Sequence, residues 1–162
     1  MIFRLLHKTL RGIGKLRRKI ASIYWAHNFK SCWRPYPRID YTVEIGHPDR
    51  VCCGKNVSIQ HGCYIAAKGG VTIGDGVQMS RYVRLLSQSL YMEPDGRVSE
   101  HHVRKPIVLG NNVWLGTGVI VLPGVTIGDN TIVGAGAVVT KNLEGGKVYA
   151  GIPAHPVAKK EG

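Results

Sequence analysis

An aliphatic side chain recurs at every sixth position in the second half of the chain, and this period restricts the fold more than any other sequence feature. The positions are Leu109, Leu115, Val121, Ile127, Val133 and Val139. Glycine directly follows four of them, and a second small or apolar series runs from Val113 to Leu143. An α-helix needs a period of about 3.6 residues, and an ordinary strand a period of two. The pattern predicts short flat strands joined by tight corners, three to a triangular coil, with Gly, Asn or Asp at the corners.

The same phase continues towards the N-terminus and is interrupted once. Two earlier coils consist of Cys53, Ile59 and Ile65, then of Ile73, Met79 and Leu85, with a two-residue shift between them near Gly69. The phase is lost between about Leu86 and Lys105 and returns at Pro106. This polar stretch predicts a loop that leaves the stack of coils, and long loops on such scaffolds usually carry function.

The N-terminal segment has a different pattern. Residues 1–39 contain ten Lys or Arg and no Asp or Glu, whereas the rest of the chain is nearly neutral. Apolar residues recur at helical spacings between the basic ones, at Ile2, Leu6, Ile13, Leu16, Ile20 and Ile23. The segment therefore predicts an amphipathic basic helix. It has two interpretations: contact of residues 1–30 with an anionic membrane surface, or capping of the open end of the solenoid. Its apolar stripe and the lack of a base-reading motif argue against nucleic-acid binding.

These patterns predict an all-β fold, a parallel β-helix with an N-terminal basic helix and a protruding loop. The expected segments are a helical part (1–33), the β-helix (34–145, with its loop at 86–105) and a C-terminal tail (146–162). A small antiparallel barrel is the alternative fold. Four cysteines without metal-ligand spacing and no recognisable secretory signal indicate reduced thiols in a cytoplasmic protein. The basic helix would place it peripherally on the inner face of the cytoplasmic membrane.

Four segments of the chain carry a resemblance to a known family. They are Pro106–Gly116, Leu122–Gly128, Gly134–Lys141 and Ala150–Ala154. Together they resemble the hexapeptide-repeat O-acetyltransferases, in the maltose, galactoside and nodulation-type branches and the surface-polysaccharide branch. The resemblance covers roughly residues 45–158. It implies a left-handed parallel β-helix, a homotrimer, acetyl-coenzyme A as co-substrate without a metal, and a saccharide or lipid-linked saccharide as acceptor.

The resemblance also implies positions for ligand contacts. Carried over by position, the coenzyme A contacts would be Thr117, Ala135, Thr140, Lys141, His155 and Lys159, with Ala135 acting through its backbone. Lys141 suits phosphate groups as a mobile point charge. Gln60 falls near an acceptor-binding position. His61 is interpreted as a surface histidine, and Trp114 as a packing residue.

Acetyl transfer to a hydroxyl group needs a general base, and histidine is the usual one near neutral pH. The family places this histidine early in the loop, where the present chain has Ser89 and Leu90, so these two residues are expected beside the acceptor. Either His102 or His101 takes over as the catalytic base, or the chain has lost activity and serves as a hexapeptide-repeat scaffold. A metal enzyme of the γ-carbonic-anhydrase type, with His61, His101 and His102 as ligands, is a further alternative.

Overall fold

A computed structural model describes the backbone of residues 2–157 and the side chains of residues 12–157. One long helix, α1 (Ile2–Asn28), precedes a series of short strands that wind into a parallel β-helix. The three faces of the β-helix are named sheets A, B and C. The predicted parallel β-helix is confirmed, and the antiparallel barrel is excluded because successive coils pair in parallel.

The chain passes through the three sheets in turn in each of the first five coils, and the sixth coil contributes a parallel strand to sheet B only. Sheet A contains β1 (Ser31–Cys32), β4 (Val51–Cys53), β7 (Val71–Ile73), β12 (Ile107–Leu109) and β15 (Thr126–Ile127). Sheet B contains β2 (Arg38–Ile39), β5 (Ser58–Ile59), β8 (Gln78–Met79), β13 (Trp114–Leu115), β16 (Ile132–Val133), β18 (Val148–Ala150) and the antiparallel β19 (His155–Pro156). Sheet C contains β3 (Glu44–Gly46), β6 (Tyr64–Ala66), β9 (Arg84–Leu86), β14 (Ile120–Val121) and β17 (Val138–Val139). The six parallel strands of sheet B mark six coils, numbered 1 to 6 from the N-terminus.

The interior of the β-helix is formed by the periodic residues. All six members of the aliphatic series are at most 1% exposed, and the second series from Val113 to Leu143 is buried as well. Thr131 is the polar member of that second series, and its hydroxyl donates a 2.7 Å hydrogen bond to the Gly128 carbonyl. Burial of a hydroxyl without such a partner is costly, so the bond explains why threonine is accepted there.

Asn and Asp side chains at the corners between sheets A and B join neighbouring coils. Oδ1 of Asp75 accepts a 2.7 Å hydrogen bond from the Lys55 amide, and Oδ1 of Asn111 accepts one from the Asp75 amide. Oδ1 of Asp129 continues the ladder by accepting from the Asn111 amide. The predicted corner role of Asn and Asp is thus confirmed, and it satisfies amide groups that the short strands leave unpaired.

The predicted loop is a twisted hairpin inserted between coils 3 and 4. It follows β9 and contains β10 (Gln88–Ser89) and β11 (Val103–Arg104), which pair in antiparallel fashion. At its base, the Ser87 hydroxyl donates to the Ala66 carbonyl and accepts from the Gly69 amide. A one-turn 3₁₀ helix (Pro48–Arg50) occupies the corresponding corner of coil 1. The hairpin is therefore anchored to the solenoid at the corner between sheets C and A.

The C-terminal part of α1 packs on coil 1. Ala26 and Phe29 are buried, and the Ser22 hydroxyl accepts a 3.0 Å hydrogen bond from the Ile39 amide. Among the described residues, no helix combines the length and the apolar character that crossing a membrane requires. The parallel strands of the solenoid run from β1 to β18.

Candidate active site

Residues from four successive coils, coils 2 to 5, form a column at the corner between sheets B and C. The Tyr82 amide donates to the His61 carbonyl, the Gly118 amide to the Arg81 carbonyl and the Gly136 amide to the Thr117 carbonyl, at 2.8–3.0 Å. Since hydrogen-bonded strands are spaced about 4.8 Å apart, Ala135 lies roughly 14 Å along this column from His61. The predicted donor contacts Thr117 and Ala135 thus share one corner with His61 of coil 2 and Arg81 of coil 3.

The upper part of this column has an open surface. Thr117 and Ala135 are exposed, and each is followed by a glycine with φ of +71°. A Cβ atom at Gly118 or Gly136 would meet nothing within 4 Å. A ligand can therefore approach the backbone closely at this corner. In coil 6 the ring of His155 packs against Gly151, which places this predicted contact at the same corner.

Two further predicted coenzyme A contacts, Thr140 and Lys141, lie at a different corner, between sheets C and A. Thr140 and Lys141 are exposed there in coil 5, and the hairpin rises from the same corner between coils 3 and 4. The side chain of Lys105 at the hairpin base lies against Gly124, one coil from Thr140. Sheet C separates the two groups within one chain. Lys159 lies outside the described residues.

The hairpin carries the residues expected at the acceptor. Leu90 is 47% exposed, and the Ser89 hydroxyl donates to the Leu90 carbonyl at 2.8 Å. His101 and His102 are both exposed, and no described residue forms a hydrogen bond with either ring. His61 is on another corner, and within residues 12–157 no group of three His, Cys, Asp or Glu side chains could hold a metal ion.

A groove of about 950 Å³ lies between α1 and the outer face of sheet B, next to the lower part of the column. Gln60 and His61 line it. Nδ1 of His61 is 3.5 Å from Oδ1 of Asp40 and 2.9 Å from Oγ1 of Thr42. The ring of Tyr82 meets the His61 ring edge-on at a centroid distance of 5.5 Å. His61 is therefore held in one orientation at the wall of a groove.

The environment of Asp40 favours its charged form. Burial alone would raise the pKa of Asp40. Hydrogen bonds from the Thr42 hydroxyl and amide, together with the positive charge of protonated His61, outweigh this effect, so the pKa lies below its ordinary value. Asp40 is thus a carboxylate throughout the neutral range and can stabilise a proton on His61.

Two of these residues were interpreted differently from the sequence. His61 was expected to be a plain surface histidine, yet it pairs with a carboxylate one coil away. Trp114 was expected to pack, yet its side chain is 51% exposed on sheet B, with Nε1 donating to the Ser80 hydroxyl at 3.1 Å. The spacing of 19 residues between Thr42 and His61, close to one coil, is the signal that could have revealed the pairing.

Comparisons with known proteins agree with this architecture. Residues 106–141 match the bacterial transferase hexapeptide family of six repeats. Over this segment the chain carries the hexapeptide repeats of that family, and these repeats form coils of the parallel β-helix. Its sequence is 34% identical over 122 residues to the galactoside O-acetyltransferase of Escherichia coli, covering 71% of the chain and 57% of that relative. The chain thus spans less than two thirds of the length of this relative.

Solved structures extend the comparison. A galactoside acetyltransferase in complex with coenzyme A superposes with a TM-score of 0.67 and 31% identity, covering 78% of the chain and 61% of that structure. A maltose O-acetyltransferase from Clostridium difficile superposes with a TM-score of 0.77 over 96% of the chain and 86% of that structure, at 24% identity, and shows the fold alone. The resemblance to hexapeptide-repeat acetyltransferases that the sequence motifs indicated is confirmed.

Proposed function

We propose that the chain is an acetyl-coenzyme A-dependent O-acetyltransferase that acts on a saccharide hydroxyl. One observation carries the proposal. An open corner strip containing Thr117 and Ala135 continues directly into the part of the corner that bears His61 at the groove wall. Similarity to galactoside O-acetyltransferase and to a structure that holds coenzyme A supports the donor and the acceptor class.

The two separated groups of candidate residues are best explained by a site between copies of the chain. A thioester donor lying along Thr117, Ala135 and His155 of one copy can meet Thr140, Lys141 and the hairpin of another. The homotrimer that the family resemblance implies provides this arrangement with three equivalent sites. Lys141 would then neutralise a donor phosphate, and Ala135 would contact the donor through its backbone.

The reaction that this site would perform is a simple acyl exchange. The hydroxyl oxygen of the acceptor bonds to the acetyl carbonyl carbon while the carbon–sulfur bond breaks. The hydroxyl proton passes to a base and then to the departing thiolate, which leaves as the coenzyme A thiol. His102 or His101 as that base stays a prediction from the sequence. The geometry favours His61, because Asp40 and Thr42 orient its ring whereas nothing described orients the rings in the hairpin.

The acceptor and the cellular site form the finer part of the proposal. We infer that the acceptor is a precursor of a surface polysaccharide, carried at the inner face of the cytoplasmic membrane. The support comes from α1, where Ile13, Leu16, Ile20, Ile23 and Tyr24 are exposed. At 100° per residue these side chains share the face opposite Ser22, Ala26 and Phe29, which contact the solenoid. Arg17 flanks the exposed apolar face and suits anionic headgroups.

Calorimetric titration of acetyl-coenzyme A, followed by thioester cleavage with a panel of saccharides, tests the proposal. We expect saturable binding and acceptor-dependent release of the coenzyme A thiol. Failure to bind acetyl-coenzyme A would refute the enzyme assignment. Binding without turnover with any acceptor would instead support the non-catalytic scaffold.

A further inference from the structure

Five basic side chains line the groove between α1 and the β-helix. Lys15, Arg18 and Lys19 come from the helix, and Arg38 and Arg81 come from coils 1 and 3. The residues are distant in sequence, so the packing of α1 on coil 1 brings the two sets together. This groove, with these five residues, is called the cationic groove below.

The positive charge of the cationic groove is not balanced by protein groups. Among the described residues, none of the five basic side chains forms an ion pair. Asp40 is the only carboxylate among the described lining residues, and it pairs with His61. By contrast, Arg97 and Lys147 elsewhere on the surface each have an acidic partner. Like charges gathered around one concave surface focus a positive potential, which attracts anions.

Neutral polar groups of the groove complement the charges. Ser58 and Gln78 follow Arg38 across the neighbouring strands of sheet B, and Gln60 lies at the corner after Ile59. The amide nitrogen of Gln78 donates to the carbonyls of Asn56 and Gly76, at 3.3 and 3.4 Å, which leaves its amide oxygen as an acceptor. Amides and hydroxyls of this kind match the hydrogen-bonding groups of a sugar. The groove thus combines donors and acceptors for hydroxyl groups with cations for a negative group.

We propose that the cationic groove binds an acceptor saccharide that bears a phosphate or carboxylate group. This inference rests on the proposed acetyl transfer and narrows its acceptor to an anionic sugar. The five basic residues hold the negative group, and the hydroxyl to be acetylated lies towards His61. The phosphates of coenzyme A could also bind to the cationic groove, and the test distinguishes them from a phosphate on the sugar.

The test uses glucose 1-phosphate and glucose as probes that differ in one phosphate group. Calorimetry with the wild type should give at least tenfold tighter binding of glucose 1-phosphate, with affinity falling as salt concentration rises. The variant K19Q/R38Q should lose most of that preference. The variant R50Q/K55Q removes the same charge from residues outside the groove and should keep the preference for glucose 1-phosphate. Thermal unfolding checks that both variants fold.

Three results would overturn the proposal. One is equal binding of the two probes to the wild type. Another is an equal loss of preference in both variants, which would indicate a general charge effect. The third is weaker acetyl-coenzyme A binding to K19Q/R38Q with the sugar preference intact, which would assign the groove to the phosphates of the donor. If acetyl-coenzyme A does not bind the wild type but the phosphate preference is present, the enzyme assignment fails, whereas anion binding by the cationic groove stands.

Discussion

Oγ1 of Thr42 lies 2.9 Å from Nδ1 of His61, and this contact determines which ring nitrogen of His61 carries the proton. The Thr42 hydroxyl donates its hydrogen to Asp40 at 2.7 Å. Its oxygen can therefore only accept from His61, so that neutral His61 holds its proton on Nδ1 and presents the lone pair of Nε2. In this form the ring can accept a proton on Nε2, as the proposed role of His61 in acetyl transfer requires.

Replacing His61 should remove the general base. We expect H61Q to lower kcat by at least about 100-fold, the lower end of what a positioned base contributes. H102Q should lose less than about tenfold in kcat. Both follow from thioester cleavage assays over a range of pH. A larger loss of kcat in H102Q than in H61Q would support His102 as the base, as predicted from the sequence, and would leave His61 without a catalytic role.

Asp40 should make the stability of the fold depend on pH in the acidic range. Its pKa is lowered in the folded state, so its stabilising contribution is present above the unfolded pKa near 4 and disappears as the pH falls through the lower folded value. Urea unfolding should show that the wild type loses more stability than D40N between pH 5 and pH 3. Parallel curves for the two proteins would mean that the Asp40 contacts contribute nothing.

Lys141 should contribute to donor binding through a phosphate group. We expect K141A to weaken acetyl-coenzyme A binding by about tenfold, which corresponds to about 1.4 kcal/mol. K147A is the matched control, because Lys147 is an exposed lysine paired with Glu144 at another corner. Calorimetric titration at two salt concentrations separates the effects. Equal losses in the two variants would reduce the role of Lys141 to general surface charge.

The inward series should dominate the stability of the solenoid. Leu115 is fully buried, and truncation in L115A should cost about 2–5 kcal/mol of unfolding free energy. Ile132 is an outward residue of the adjacent coil and is 38% exposed, so I132A should cost less than about 1 kcal/mol. Chemical denaturation gives both values. A comparable cost at the two positions would show that the outer face of sheet B is covered in the assembled protein.

The apolar face of α1 should mediate membrane attachment. The wild type should co-sediment with vesicles that contain anionic phosphatidylglycerol, and much less with vesicles of phosphatidylcholine alone. We expect L16E/I20E to lose this binding. M92E/V98E introduces the same charge at two exposed apolar residues of the hairpin and should still bind. If the wild type ignores anionic vesicles, α1 has only its structural role on coil 1.

The β-helix was predictable from sequence because each member of the aliphatic series occupies an equivalent environment. Leu109, Val121 and Val139 all point into the same interior, so the period alone identifies the core. Coil 1 is harder to recognise in the sequence because the chain departs from the six-residue repeat around Pro35 and Pro37. The basic helix was predicted from its amphipathic spacing, and the structure shows that it packs on coil 1 through Ala26 and Phe29.

The site was less predictable because it is assembled across coils. His61 obtains its partner from the preceding coil, and the groove exists only where α1 crosses sheet B. A motif search examines neighbours along the chain, whereas Asp40, His61 and Arg81 become neighbours by stacking. The family motifs predict donor contacts at Thr117 and Ala135 for the same reason that they are recognisable, since both residues occupy equivalent corners of consecutive repeats.

The direct pairing of β7 with β12 has a consequence for how such a protein can change. Val71 and Ile107 are partners in one sheet although the whole hairpin lies between their coils. The packing of the core therefore does not depend on the length or the composition of the hairpin. A different insertion could be substituted at that corner without altering a single inward-facing residue. Evolution can in this way exchange the hairpin as an independent module while the folding unit is inherited intact.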